Sequence, residues 1–163
     1  MDSFLLQLEQ SGLARWIHES GELYGYPLIL FLHTLGFGTL VGLNSAIDLR
    51  LLGFASQVPV KSLEKTFRLM WAGFALSAIT GTLLFIADAT KHFSNPAFFV
   101  KLLFVALGTV NLAVIWRKVF RDSLLDERTI QTQGKTLAAT SLTCWLIVIT
   151  AARLMAYISE FIT

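Results

Sequence analysis

The sequence predicts an all-α integral membrane protein, a four-helix up-down bundle preceded by an N-terminal amphipathic interfacial helix. Three observations carry this fold. Four apolar runs, 27–51, 67–89, 96–116 and 137–158, each reach the roughly 20 residues a helix needs to cross a hydrocarbon core of about 30 Å. The links between them are short, which favours antiparallel neighbours. The chain is 55% hydrophobic and only 15% charged, with a mean hydropathy of +0.64. Soluble domains rarely combine these values.

The elements follow in order. Residues 3–19 form the amphipathic helix, capped by Ser3 or Asp2. Leu5, Leu6, Leu8, Leu13, Trp16 and Ile17 supply its apolar contacts, with Glu9, Gln10, Arg15 and Glu19 between them. It is too polar to span and suits the interface plane. Trp16, Tyr24 and Tyr26 mark a headgroup-level belt, and Pro27 suits the first turn of the first span. A short loop with Pro59 occupies 55–64. Asn95 caps the third span and Pro96 takes its first turn. The link 117–135 is the longest and most charged, with a helical extension expected around 119–125. Residues 1–163 make one membrane domain.

Basic residues set the expected orientation. The first and third links carry nine: Arg50, Lys61, Lys65, Arg68, Arg117, Lys118, Arg121, Arg128 and Lys135. The opposite side carries four: Arg15, Lys91, Lys101 and Arg153. In a bacterial inner membrane, the positive-inside bias places both termini in the periplasm. No cleavable leader is expected, because the first 22 residues hold Asp2, Glu9, Glu19 and Glu22 against Arg15 alone.

Composition also excludes functions. A net charge of +2, with no basic stretch on a polar face, argues against a nucleic-acid partner. A single cysteine, Cys144, rules out an internal disulfide and a multi-cysteine metal site. Ser45, Ser77 and Ser141 have no adjacent base, so hydrolysis is not expected. Gly38 and Gly42 form a GxxxG pair, and Gly73, Ser77 and Gly81 a row of small residues four apart. Both are packing signals.

Ionisable groups inside spans are the candidate functional residues. His33 lies about six residues into the first span, roughly 9 Å along the axis. His92 follows the second span and His18 ends the amphipathic helix. Lys101, Arg153, Asp88 and Tyr157 fall at a similar level on the other helices. One chemistry is a b-type haem. His33 would be an axial ligand and His92 or His18 the second, with Arg153, Lys101 or Lys91 on the propionates and Gly36 making room for the macrocycle. Another is a quinone pocket in which His33 and Asp88 accept the protons of quinol oxidation. A third is structural: His33 hydrogen-bonds across the bundle, and Asp88 pairs with Arg153 or Lys101.

The expected function is a small, non-catalytic membrane subunit of an electron-transfer system, holding haem b or quinone near the periplasmic face. Its partners would be the lipid bilayer and other membrane subunits or a periplasmic redox protein. The alternative is a cofactor-free anchor or assembly subunit. A more distant one is a metal or small-solute transporter, whose pathway Asn44, Asp48 and Asn111 would mark. Asp48 is expected near Arg50 and Arg68 at the cytoplasmic boundary, where an ion pair is the plainer account. Asn44 and Asp48 share a helix face with His33, and that face should point into the bundle or at a partner.

The blocks Tyr26-Pro27-Leu28-Ile29-Leu30-Phe31-Leu32-His33-Thr34-Leu35-Gly36 and Asp48-Leu49-Arg50-Leu51-Leu52-Gly53 carry a resemblance. So do Trp71-Ala72-Gly73-Phe74, Gly81-Thr82-Leu83-Leu84-Phe85 and Asn95-Pro96-Ala97-Phe98 with Lys101. Over nearly its whole length the chain resembles a family of bacterial four-span membrane proteins defined by a domain of unknown function. It is loosely similar to copper-resistance-D-like proteins and small b-type cytochromes at the level of fold. The resemblance implies four spans and blocks around His33, Asp48, Asn95-Pro96, Lys101 and Arg153. His92 and His18 stand outside those blocks.

Overall fold

A computed structural model describes residues 2–21, 24–121 and 127–162, with side chains over 3–21, 24–121 and 133–157. Seven α-helices account for most of it: α1 (Asp2–Glu9), α2 (Gly12–Glu19), α3 (Tyr26–Leu52), α4 (Thr66–Ala87), α5 (Ala89–Phe93), α6 (Pro96–Ile115) and α7 (Glu127–Ile162). A 3-10 turn, Val60–Lys65, leads into α4, and a π-helical turn, Trp116–Arg121, extends α6. Four helical stretches are long and apolar enough to cross a membrane: Tyr26–Leu52, Val60–Ala87, Pro96–Arg121 and Gln133–Tyr157. Their outward faces are apolar as well. Ile79, Val110 and Leu146 are 64%, 62% and 64% exposed. Such a surface is stable facing lipid and not facing water. The chain is a multi-pass membrane protein.

The four long helices alternate in direction. Close backbone approach joins α3 to α4, α3 to α7 and α6 to α7. The α3–α4 crossing is the tightest, because small residues remove the side chains that would separate the backbones. A Cβ on Gly36 would meet Gly73 O at 2.7 Å and Ser77 N at 2.8 Å. By contrast, α4 and α6 meet through large rings. Phe67 packs on Trp116 and Phe120 at one end, and Phe85 stacks on Phe98 at the other. Between these lies the main core, built on Leu40, Ile47, Met70, Leu112, Ile115, Trp145 and Val148. Gly108 accommodates the Trp145 indole, 3.1 Å from where a Cβ would stand.

Helix ends follow local chemistry. Asn95 Oδ1 accepts from Ala97 N at 3.0 Å, and Pro96 follows as expected. Gly53, at φ 107°, closes α3. Its N–H donates to Arg50 O and the Phe54 N–H to Leu49 O, which satisfies carbonyls the helix end would leave open.

Three boundaries differ from the sequence reading. The amphipathic segment is two helices rather than one: Ser11 Oγ accepts from Ala14 N and starts α2 afresh. The 55–64 link contains the 3-10 turn. The last helix begins at Glu127, ten residues before the apolar run, because polar residues through Lys135 hide a continuous helix from a hydropathy count. Of the extension expected at 119–125, the part to Arg121 is π-helical, and 122–126 lie outside the described residues.

Candidate functional site

Two polar groups interrupt the apolar interior, one in each half of the bundle. The first surrounds His33, in the half that carries α1, α2 and α5. His33 Nδ1 bonds Ser77 O at 2.9 Å, with the hydroxyls of Ser77 and Thr80 at 3.2 and 3.4 Å. Its ring lies over Gly81, where a Cβ would come within 2.9 Å of Cε1. Thus α4 is built to receive this imidazole: two hydroxyls and a carbonyl address one nitrogen, and a glycine leaves room for the ring. His33 Nε2 has no hydrogen-bond partner among the described residues. Half-buried Lys101, on α6, is an electrostatic neighbour of His33.

The other residues expected beside His33 go elsewhere. Asp88 caps the end of α4, about two turns or roughly 10 Å beyond Gly81 along the helix. Its carboxylate takes the Tyr26 hydroxyl and stands 3.9 Å from His18 Nε2. His18 also reaches Ala87 O at 3.3 Å and stacks on Tyr26. His92 Nδ1 bonds Asp88 O at 2.7 Å, and its ring packs against Phe85 and Phe98. Asp88 therefore fastens α2 and α3 to the end of α4, and the expected pairing with Arg153 or Lys101 does not occur. Nor does Asp88 share a pocket with His33. Arg153 and Tyr157 are exposed, on the outside of the bundle.

These positions do not fit the haem arrangement expected from the sequence. The space beside Gly36 is filled by the backbone of α4 at Gly73 and Ser77. His18 and His92 engage the end of α4 rather than standing opposite His33. A flat macrocycle with two axial imidazoles needs an open slot and paired nitrogens at one level. Among the described residues, no group of three His, Cys, Asp or Glu side chains converges.

The second polar group lies in the opposite half, where α3 faces α7. Asn44, Asp48 and Ser141 are fully buried. Asn44 Nδ2 donates to Asp48 Oδ2 and to Ser141 Oγ, both at 2.6 Å. The ion pair expected between Asp48 and Arg50 or Arg68 is absent. Arg50 turns to the carbonyls of Val58 and Ser56 at 2.5 and 3.0 Å, and Arg68 is exposed. Helix geometry explains this: Arg50 sits about 200° round the axis from Asp48, so the two leave opposite sides of α3. Asn111 Nδ2, on α6, donates to Leu137 O at 2.8 Å and ties α6 to α7.

A third feature is on the outside. Thr34, Gly38, Gly42 and Ala46 form an exposed stripe along α3. A Cβ on Gly38 or Gly42 would meet nothing within 4 Å. A shallow groove follows the stripe, lined by Phe31, Thr34, Leu35, Gly38 and Thr39. Among the described residues, the GxxxG pair seen in the sequence is therefore not used inside this chain.

No known protein family, curated protein or solved structure matches the chain.

Proposed function

We propose that this protein is a non-catalytic membrane subunit that assembles with a partner through the outer face of α3. The observation that carries this is the contrast between its glycines. Gly36, Gly73, Gly81 and Gly108 each have a neighbour within 3.4 Å of a would-be Cβ, whereas Gly38 and Gly42 face open space. Small residues four apart let a second transmembrane helix approach closely, and in lipid that packing is the main source of helix affinity. Thr34 and Thr39 also line the shallow groove at Gly38, and their hydroxyls bond the α3 backbone. The setting is the bacterial inner membrane, with both termini periplasmic, as the basic asymmetry favours.

The test is a photoreactive amino acid at Gly42, compared with one at Val110 on the exposed face of α6. An adduct of one defined mass at Gly42, and none at Val110, is expected in membranes. Lipid adducts alone at both positions would refute assembly through α3.

His33 favours a second reading, a quinone site. A ring nitrogen without a partner and a nearby lysine could address the two polar atoms of a quinone headgroup. Purified protein loaded with a ubiquinone analogue should then lose binding in His33→Leu. Equal retention in both proteins excludes this site. An absorption spectrum completes the comparison: the assembly reading expects no reducible Soret band.

A further inference from the structure

We infer that Asp48, Asn44 and Ser141 form a binding site for one small monovalent cation, sodium or a proton, between α3 and α7. Two buried oxygens point to this. Asn44 Oδ1 and Asp48 Oδ1 have no hydrogen-bond partner among the described residues, although both side chains are fully buried. Buried acceptors without partners are rare, and an unpaired one costs about 1–3 kcal/mol, more when charged. The third unpartnered buried atom, Trp145 Nε1, is a donor and supplies no ligand to a cation. Its indole lies against Gly108 on α6.

Charge selects the ligand. A carboxylate buried among apolar helices needs a compensating positive charge. Among the described residues, none of the charged side chains on the surrounding elements provides it. Arg50 is turned to the Val58 and Ser56 carbonyls. Arg68 on α4, Arg117 on the extension of α6 and Lys135 on α7 are exposed. The carboxylate bears a single negative charge, so a single positive charge balances it, and a divalent ion would leave the core positive. The available atoms are a carboxylate, an amide oxygen and a hydroxyl oxygen. Hard oxygen ligands suit a proton or an alkali cation and not a soft metal. Asp48 also sits one turn from the C-terminus of α3, where the helix carbonyls add negative potential. Asp48 Oδ2 accepts from Asn44 Nδ2 and so helps to hold the α3–α7 bridge, but this bond engages only one of the two carboxylate oxygens.

Sodium and the proton share this chemistry and are separated by experiment. Wild-type protein in nanodiscs is melted in sodium chloride and in N-methyl-D-glucamine chloride at equal ionic strength. Infrared difference spectra are recorded in sodium-free buffer at neutral pH. Sodium-dependent stabilisation, lost in Asp48→Asn, identifies sodium as the occupant. A protonated-carboxyl band that Asp48→Asn removes, with no sodium effect, identifies the proton. Absence of both signals in the wild type overturns the site. Should Asp48→Asn fail to fold, Ser141→Ala retains the carboxylate and removes one ligand. It is expected to weaken sodium affinity about tenfold or to displace the carboxyl band, and a variant identical to wild type in both readouts overturns the proposal. The site lies inside the α3–α7 interface, so its failure leaves assembly through the outer face of α3 untouched, and the reverse also holds.

Discussion

Gly36 and Gly73 face each other across the α3–α4 crossing, each lying where the other would carry a side chain. A Cβ on Gly36 would stand 2.7 Å from Gly73 O, and one on Gly73 would stand 2.8 Å from Gly36 O. Both obstacles are backbone atoms, which cannot move aside without moving a helix. Gly36→Ala and Gly73→Ala should each destabilise the protein by about 1–3 kcal/mol, the usual range for overpacking. Gly38→Ala, two residues away on the open face, should be neutral or stabilising by up to about 1 kcal/mol, because alanine is the better helix former. Unfolding midpoints in mixed micelles check this. Equal midpoints for Gly36→Ala and Gly38→Ala would show that the crossing is looser than described.

That pair also shows which parts of the fold were legible in the sequence. The spans were, because a long apolar run has few alternatives in a membrane protein. Gly38-xxx-Gly42 was visible as a packing motif, but residues two apart lie on nearly opposite sides of a helix. The motif could not reveal that the intramolecular contact uses Gly36 instead. Gly36 was assigned to a macrocycle slot for the same reason: a glycine announces space without saying what fills it. The sequence suggests that Asp48 pairs with Arg50 or Arg68 at the same membrane boundary. The i to i+4 spacing to Asn44 was the signal that it turns inward. The contact of Asn44 with Ser141 on α7 spans almost a hundred residues and has no local signature. His33 stands out in the sequence as an ionisable group inside a span, and the structure places it against α4 with Lys101 as an electrostatic neighbour.

Glu9 joins the N-terminal helices to the bundle. Its Oε1 accepts from Thr90 N at 2.8 Å and from Thr90 Oγ1 at 2.6 Å. The carboxylate thereby caps the first turn of α5, a short helix whose own N-terminal residue makes no side-chain cap. Glu9→Ala should cost about 0.5–2 kcal/mol, as removal of a capping side chain does. Hydrogen exchange gives the local readout: the amides of 89–93 should exchange faster, while those of 66–84 should not change. Uniform acceleration would mean that the variant had loosened the whole bundle.

Topology can be read from the two ends of α7. Reporter fusions at Thr163 and within 122–133 should report opposite compartments, with Thr163 periplasmic. Replacing Lys61, Lys65 and Arg68 with glutamine weakens the basic asymmetry on one side only and should increase the inverted fraction. A cytoplasmic Thr163 in the unaltered protein would reverse the assignment, and His33 would then lie near the cytoplasmic face.

His33 and Gly81 should behave as one unit. In the native protein a Cβ on Gly81 would stand 2.9 Å from His33 Cε1 and 3.2 Å from Nδ1. Gly81→Ala must therefore push the ring, which in turn strains its bond to Ser77 O. A cost of about 1–3 kcal/mol is expected. His33→Ala removes both the ring and the cross-helix bond. Such bonds contribute about 0.6 kcal/mol on average in membrane proteins, so most of its cost should come from the emptied notch. With the ring gone, the added methyl of Gly81→Ala has room and partly refills that notch. The double variant should be no less stable than His33→Ala alone. The resulting coupling should exceed the roughly 0.5 kcal/mol scatter of independent sites. Costs that simply add would mean that His33 does not rest on Gly81.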